Sequence, residues 1–202
     1  MTANHDTNTA SSIATGPQGA MRFFGKYRGV VTDDADPTMR GRVKVRVPAV
    51  TGAHEQWAMP CVPYAGQGVG LFAVPPKGAN VWVEFEGGDP DAAIVAGCFW
   101  GPGEAPILGP QQFIKAFVTE SFALIMDEAK KSVQLSITPG GQAAGTPVLS
   151  AVIDPVGVTV ESQPGSMTMT KTGLELGFGS KVSIKLAAAG VAINRGRLAV
   201  KP

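Results

Sequence analysis

The chain is poor in the residues from which most catalytic and metal sites are built. It has two histidines and two cysteines among 202 residues. Cys61 and Cys98 are far apart and show no metal-ligand spacing. His54-Glu55 is interpreted as a polar loop between strands, because no nucleophile accompanies it. The sequence therefore predicts no catalytic residue, no metal site and no cofactor, and it predicts that both cysteines are buried free thiols. A disulfide between them stays open.

Charge and long apolar runs are also scarce. The formal net charge is +1, so the sequence gives no electrostatic reason to expect nucleic acid or an anionic membrane surface as a partner. No apolar run approaches the roughly 20 residues of a membrane span. The first residues, MTANHDTNTASS, lack the basic start and apolar centre of a signal peptide. We expect synthesis and folding in the cytosol.

Aromatic residues are nearly missing from the second half. From Phe113 to Val200 there is no tryptophan, tyrosine or histidine, yet short segments alternate strictly between apolar and polar residues and Gly or Pro separates them. Such strands are too short for a monomeric core, since burial of each apolar side chain has to offset the cost of ordering the backbone. Three chains around one axis would solve this problem. The predicted trimer core is Val133, Leu135, Ile137, Val158, Val160, Val182, Ile184, Leu186, Val191 and Ile193.

The clearest element present is a β-hairpin from Lys26 to Pro48. Its second strand places valines at 43, 45 and 47 on one face, and Arg42, Lys44 and Arg46 on the other. We interpret the acidic cluster between the strands, Asp33, Asp34 and Asp36, as turn formers rather than calcium ligands. A strand with one polar face belongs to an antiparallel sheet or barrel.

Further strands follow the hairpin at close intervals. The segment 56–63 reads as a strand whose prolines favour a sheet edge. Gly66, Gly68 and Gly70 predict a loop; no helix follows GQGVG, so it is not interpreted as a phosphate loop. Segments 81–85 and 93–99 complete a small barrel of the OB type. The predicted organisation is a flexible tail at 1–20, an OB domain at 21–109 and a needle domain at 110–202.

In this order the segments resemble the spike proteins of contractile injection machines, namely baseplate assembly protein V of contractile-tail phages and the VgrG spike of type VI secretion. The resemblance rests on Gly29-Val30-Val31, Asp36-Pro37, GRVKVRVP at 41–48, Trp57, Pro63, Ala65-Gly66, and the segment from Pro75 to Gly97. VTESFALIMDEAKKSVQLSI at 118–137 is similar to the opening repeat of the family's needle, without its usual histidine. The resemblance covers about residues 21–202.

This resemblance implies an all-β protein: an N-terminal OB-fold barrel followed by a C-terminal β-helix needle formed by three intertwined chains. It implies a structural spike that punctures the target envelope and nucleates baseplate and tube assembly. The hub and lysozyme domains of some relatives are missing here, so a separate hub protein is expected at the OB end, with Arg42, Lys44 and Arg46 as its contact. His5 and His54 are far from the C-terminus, so a metal-bearing tip is not expected. A PAAR-type tip protein is expected there, on Leu198, Val200 and Pro202.

Two other functions are compatible with a β-rich chain. The first is a trimeric tail fibre or receptor-binding protein, although the chain ends in needle repeats rather than a distinct head. The second is an OB-fold module for single-stranded nucleic acid, which needs aromatic residues interleaved with basic ones. No aromatic alternates with Arg42, Lys44 and Arg46. The sequence leaves open whether the particle is a phage tail, a secretion system or a free injection particle, and which cargo and target cell it serves.

Overall fold

The structure is a computed structural model that describes residues 14–15, 21–107, 111–141, 145–194 and 197–200. It divides into two compact units, 1–105 and 106–202, each described by itself below. Of the tail predicted at 1–20, only β1 (Ala14–Thr15) is described, and it pairs with β2 (Met21–Arg22). The rest of that predicted tail lies outside the described residues.

The first unit is a closed five-stranded barrel with the order β3-β4-β5-β9-β8. Four of its five strand pairs are antiparallel, and β5 and β9 are parallel. A short helix, α1, joins β4 to β5, and a single 3₁₀ turn at Glu86–Gly88 joins β8 to β9. The barrel strands are β3 (Tyr27–Asp33), β4 (Val43–Arg46), β5 (Glu55–Pro60), β8 (Asn80–Phe85) and β9 (Ala93–Cys98), and α1 spans Pro48–Thr51.

The barrel core consists of the inward members of each alternating strand. The largest fully buried side chains are all valines, contributed by β3, by β4 and its following residue, and by β8. Each such valine contributes about 1.5–3 kcal/mol when withdrawn from water. Gly29 lets the strands approach closely, since a Cβ there would lie 3.1 Å from Cγ2 of Val83. The five valines are Val31, Val45, Val47, Val81 and Val83. The predicted hairpin and OB-type barrel are therefore confirmed.

Two details of the barrel differ from the sequence predictions. The strand β5 is not at a sheet edge, because it pairs with β4 on one side and β9 on the other. Its proline is tolerated because Pro60 lies beyond the last residue paired with β4, and the amide of Cys61 donates to Val95 O at 2.9 Å instead. The glycine loop contains a small hairpin of β6 (Ala65–Gly66) and β7 (Val69–Gly70).

Within its described part, the second unit is a single ten-stranded antiparallel sheet in which each strand pairs with the next along the chain. A 3₁₀ turn, Gln111–Phe113, leads into it. The strands are β10 (Ile114–Val118), β11 (Phe122–Asp127), β12 (Ser132–Ile137), β13 (Leu149–Ile153), β14 (Gly157–Ser162), β15 (Gly165–Thr170), β16 (Gly173–Phe178), β17 (Val182–Ala187), β18 (Gly190–Ile193) and β19 (Leu198–Val200). The all-β prediction is confirmed.

Cross-strand register in this sheet gathers the apolar positions into two rows on one face. One row crosses all ten strands: Phe117, Leu124, Leu135, Ala151, Val160, Met167, Leu176, Ile184, Ile193 and Leu198. The second begins with Lys115 and continues as Met126, Val133, Ile153, Val158, Met169, Leu174, Leu186, Val191 and Val200. We call these two rows the apolar face.

The reverse side of the sheet has a different chemistry. One of its rows runs Gln134, Val152, Thr159, Thr168, Glu175, Lys185 and Ala192, and Lys185 lies 3.8 Å from Glu175 on the neighbouring strand. Successive side chains of a strand point to opposite sides of the sheet. The pairing register of the strands therefore determines which residues lie on each side. The same row begins with Ala116 and Ile125, so the chemical contrast between the two sides is clear from β14 to β17 and weak at β10 and β11.

Candidate functional site

The loop between β3 and β4 is organised around the carboxylate of Asp36. This carboxylate accepts hydrogen bonds from the backbone amides of Thr38 at 3.0 Å, Arg40 at 2.9 Å and Arg42 at 3.2 Å. It also accepts from the Thr38 hydroxyl at 2.8 Å and from Nη2 of Arg42 at 2.9 Å. Hydrogen-bond donors of the loop itself thus satisfy the Asp36 carboxylate. These contacts are those expected of a turn-forming aspartate.

Electrostatics fix the charge state of this loop. The Arg42 guanidinium, together with the Thr38 and Arg40 donors, holds the pKa of Asp36 well below its usual range. The Asp36 carboxylate in turn raises the pKa of Arg42. The Asp36 side chain is only 4% exposed, so this pair is shielded from solvent. The Asp36 carboxylate is therefore ionised at neutral pH, and Met39 is exposed on the same loop.

The three residues of the predicted cationic row have different surroundings. Arg42 is bound to Asp36 and packs over the Trp57 ring at 5.3 Å. Lys44 lies 3.9 Å from Glu55, and Arg46 is exposed at the end of β4. The sequence shows no aromatic among these cations, but Trp57 on β5 pairs with Lys44 and supplies one. That contact depends on strand pairing, so sequence spacing could not reveal it.

A second cation–aromatic cluster lies elsewhere on the barrel. The Trp82 and Phe99 rings have centroids 4.7 Å apart, and the Arg28 guanidinium lies 4.9 Å and 4.8 Å from them. Three separate segments supply these residues, so no local pattern in the sequence predicts the cluster. The protein's own arginine covers both rings, and the cluster therefore offers no open stacking platform for a base.

An exposed apolar surface lies beside the Asp36 loop. Met39 is 92% and Phe72 79% exposed, and Tyr64, Val69 and Leu71 are each more than half exposed. They border a groove of about 680 Å³ in which Arg40 is the single charged residue among the described lining residues. The apolar segment 71–74 is too short for its sequence pattern to predict a role.

The ten predicted trimer-core residues all lie on the same side of the second unit. Eight of them belong to the two rows of the apolar face, and Ile137 and Val182 lie one alternation further along β12 and β17. Five of the ten are at least 38% exposed in the single chain, among them Ile184 at 39% and Val182 at 52%, and the other five are partly buried. Whether these residues form a trimer core stays a prediction.

The predicted tip residues are only partly described. Leu198 is exposed in β19, which pairs with β18. The backbone of Val200 is paired with Val191, and Pro202 lies outside the described residues. The tip contact also stays a prediction.

Residues of catalytic and metal-binding types are dispersed. His54 lies in the turn after α1, where its backbone carbonyl accepts from the Thr51 hydroxyl, and Glu55 faces Lys44. Cys61 and Cys98 are both free and exposed, so the prediction that they are buried was wrong. Cys61 directly follows β5 and Cys98 is the last residue of β9, so both lie at strand ends rather than in the core. No cluster of three or more His, Cys, Asp or Glu residues suited to a metal ion occurs in the described ranges.

The helices in the described part of the chain are short. None of them combines the length and the apolar character needed to cross a bilayer.

Comparison with known proteins identifies the barrel. Residues 27–100 match the family model of the type VI secretion system/phage-baseplate injector OB domain. The match begins at β3, ends just after β9, and so includes the closed barrel, the Asp36 loop and the β6–β7 hairpin. No curated protein matches the chain.

Proposed function

Because residues 27–100 are an OB domain of the type VI secretion system and phage-baseplate injector family, we propose that the chain is the central spike of a contractile injection machine. In this proposal the protein is a structural component of a phage tail-like baseplate. It helps to puncture the target envelope and nucleates assembly of the baseplate and tube. Its role is mechanical, and no catalytic step is assigned to it.

The observation that carries the proposal is the apolar face of the second unit. One row of apolar positions crosses all ten paired strands and a second is apolar in nine of them, and members such as Leu176 and Leu186 remain about 40% exposed in one chain. Soluble monomers rarely expose large contiguous apolar patches, so an apolar face that crosses a whole sheet favours coverage by another chain. Three copies with their apolar faces on a common axis would bury both rows and leave the Ser, Thr, Glu and Lys positions outside.

A spike needs stiffness along its length, and the register supports this property. Every described strand of the second unit is hydrogen-bonded to its sequence neighbour, so the backbone forms a continuous ladder. With the apolar face covered, each layer would be held by hydrogen bonds along the sheet and by apolar contacts across the axis. A rod of this kind transmits an axial force without an internal hinge.

In this proposal two partners bind the chain, one at the barrel and one at the last strand of the second unit. A separate hub protein would bind the barrel, with Lys44 and Arg46 as candidate contacts, since Arg42 is already bound to Asp36. A PAAR-type tip protein would cover Leu198, Val200 and Pro202. Exposed strand edges such as β19 are normally covered in soluble proteins, which supports a cap at that strand.

The first experiment is a mass measurement on the purified full-length chain by light scattering and native mass spectrometry. The proposal expects three times the formula mass of 20.8 kDa per particle. Electron microscopy of assembled particles should then place the protein at the centre of the baseplate. A monodisperse monomer, or a position at the periphery of the particle where fibres attach, would refute the spike assignment.

The tip assignment has its own test. Deleting residues 195–202 should release the tip protein in co-purification while the remaining chain keeps its oligomeric mass. A point variant, Leu198→Ser, provides a milder version, because it removes apolar contact without shortening β19. A tip protein that binds both variants as well as it binds the wild type would show that these residues are not its contact.

A further inference from the structure

Two consecutive hairpins of the second unit, β14–β15 and β16–β17, repeat one another. The first strand of each has six residues, GVTVES in β14 and GLELGF in β16, with glycine first and apolar residues at the second and fourth positions. The return strands β15 and β17 also have six residues each. The strands β14, β16 and β18 begin at Gly157, Gly173 and Gly190, which are 16 and 17 residues apart.

The two hairpins have the same pairing register. Each position of β14 has a counterpart 16 residues later in β16, and each position of β15 has a counterpart 17 residues later in β17. Corresponding positions pair with corresponding partners along the whole of both hairpins. A shift by one hairpin therefore keeps every residue on its own side of the sheet. The apolar pairs are Val158–Met169 and Val160–Met167 in the first hairpin, and Leu174–Leu186 and Leu176–Ile184 in the second.

The glycine that begins each hairpin has the same surroundings in both. A Cβ on Gly157 would collide with the carbonyl oxygen of Met169, and a Cβ on Gly173 would collide with that of Leu186. Met169 and Leu186 are themselves corresponding residues. In both hairpins the next nearest atoms are the carbonyl carbon of that residue and the Cα of the residue after it. Glycine at this point is therefore a requirement of the hairpin itself, because the backbone of the return strand leaves no room for a side chain.

The loops that lead into these strands are equivalent as well. Each of β14, β16 and β18 follows a two-residue loop whose flanking residues meet each other. They meet through a backbone hydrogen bond of 3.0 Å in the first case and through strand pairing in the other two. Each loop thus returns the chain to the same point of the sheet. The flanking residues are Asp154 and Gly157, Thr170 and Gly173, and Ala187 and Gly190.

We infer that β14–β15 and β16–β17 are interchangeable modules, and that the number of modules sets how far the sheet of the second unit extends across its strands. Repeated units that contact only their neighbours can be added or removed without changing the rest of the array. The apolar face would become longer or shorter, but no residue would change sides. In the proposed function, on which the mechanical meaning of this inference rests, the modules set the reach of the spike.

The main test is a duplication in the full-length chain. Repeating residues 173–189 directly after Ala189 adds one module, and both new junctions copy the natural junction between Ala189 and Gly190. We expect the number of chains per particle to equal that of the wild type by native mass spectrometry. Electron cryomicroscopy should show the sheet of the second unit extended by about 10 Å, which is two spacings between strands.

The reciprocal variant removes one module. Deleting residues 157–172 brings Gly173 to the place of Gly157. Leu174 and Leu176 would then face Ile153 and Ala151, which now pair with Val158 and Val160. Since apolar residues replace apolar residues, protection of β10–β13 against hydrogen exchange should stay within about two-fold of the wild type.

The matched control removes a single strand instead of a module. Deleting residues 157–164 takes out β14 and leaves β15 to follow β13. These two strands run in the same direction, because each is antiparallel to β14. The strand β15 therefore cannot take the place of β14, although fewer residues are lost than in the module deletion. Hydrogen exchange in 165–194 should rise by about ten-fold or more.

The outcomes separate this inference from the proposed function. The duplication is decisive, because all of its junctions exist in the wild type. If it raised exchange in the second unit as much as the single-strand deletion does, the hairpins would not be interchangeable, and the spike proposal would stand. Wild-type exchange in the single-strand deletion would also overturn the inference. A monomeric wild type would overturn the spike proposal, and the exchange comparison among the three variants would still decide whether the modules are interchangeable.

Discussion

The two units of this chain use the same alternating strands and reach opposite results. In the barrel, Val45 is completely buried, whereas Ile184 in the second unit is 39% exposed although it occupies the equivalent apolar position of an alternating strand. The difference lies in the connections between strands. In the barrel, β3 also pairs with β8, about fifty residues later, and this pairing closes the sheet on itself. In the second unit each described strand pairs only with its neighbours in sequence.

Which side of a strand is apolar and whether the chain itself covers that side are two separate properties. Alternation determines which side of a strand is apolar, and long-range pairing determines whether the same chain covers that side. A closed barrel of five short strands buries its inner face alone. An open meander of ten strands presents the same chemistry over a longer face, which we propose that other copies of the chain cover. The predictions below test this division, from the largest expected effect to the smallest.

The largest effect is expected from a charge on the apolar face. Ile184→Asp, together with Val182→Asp, would place carboxylates on the side of β17 that we propose to face the trimer axis. A buried charge without a partner costs several kcal/mol, and three copies would multiply this cost. We expect the oligomer to dissociate at micromolar concentration, as measured by light scattering, while the barrel keeps its far-ultraviolet and tryptophan signals.

The matched control is a substitution at the next residue of the same strand. Lys185→Asp changes the charge on the opposite side of the sheet and removes only the exposed pair with Glu175, for which less than about 1 kcal/mol is expected. The oligomer should survive it. If Lys185→Asp dissociated the oligomer as completely as Ile184→Asp, the assignment of the two faces would be wrong.

A smaller effect is expected from adding a methyl group at a glycine of the second unit that faces a backbone carbonyl. A Cβ on Gly157 would collide with the carbonyl oxygen of Met169 on β15. Gly157→Ala should therefore destabilise the second unit by about 1–3 kcal/mol, the usual cost of overpacking. The measurement is the thermal transition of the second unit, with the barrel transition as an internal reference.

Gly177→Ala is the matched substitution in the same sheet. Its Cβ would meet only the hydroxyl oxygen of Ser166, at 2.7 Å, and this side chain can rotate away. The variant should lose less stability than Gly157→Ala. Equal losses at both positions would mean that the close approach of Gly157 to Met169 does not limit the packing.

Much of the barrel could be predicted from local patterns. The alternation at Val43, Val45 and Val47 and the turn residues before it identify the hairpin, because both signals lie within a few residues. The parallel pairing of β5 with β9 could not be predicted, and the prolines of 56–63 wrongly suggested an edge. Closure of the barrel brings together residues that are far apart in sequence, so local sequence propensities do not indicate it.

The same limit applies to the candidate surfaces. The predicted trimer-core residues could be assigned to one face from period-two alternation alone, since register preserves that face across neighbouring strands. The contact of Arg42 with Trp57 and the packing of Phe72 over Gly41 could not be predicted from the sequence. Strand pairing and loop closure bring these residues together. The exposure of Cys61 and Cys98 could not be predicted either, because it depends on where β5 and β9 end.

The next prediction concerns the ordered loop of the barrel. Asp36→Asn removes the charge that Arg42 and the loop amides bind, so we expect the barrel transition to fall by roughly 5–10 °C at pH 7. Because folding lowers the pKa of Asp36, its ionised form stabilises the barrel above the ordinary aspartate pKa, near 3.9. That contribution is progressively lost as the pH falls below this value.

The difference in stability between the wild type and the Asp36→Asn variant should accordingly be constant from pH 7 to about pH 5 and narrow as the pH is lowered towards 2. Asp33→Asn is the control on the same loop, because the Asp33 carboxylate accepts one backbone bond, from Ala35 at 3.0 Å. Its effect on the barrel transition should be much smaller. If the difference between the wild type and Asp36→Asn stayed unchanged down to pH 2, the proposed role of the Asp36 charge would be contradicted.

The smallest expected effect is on association rather than on stability. Arg42 is committed to Asp36, so the hub contact is tested with Lys44→Glu and Arg46→Glu alone. Both residues belong to β4, but their side chains point away from the valine core, and the barrel should melt as the wild type does. If they attract an acidic hub surface, incorporation into the baseplate should slow about ten-fold at low salt, and the deficit should shrink as salt screens the attraction. Unchanged incorporation rates at low salt would remove this strand from the hub contact.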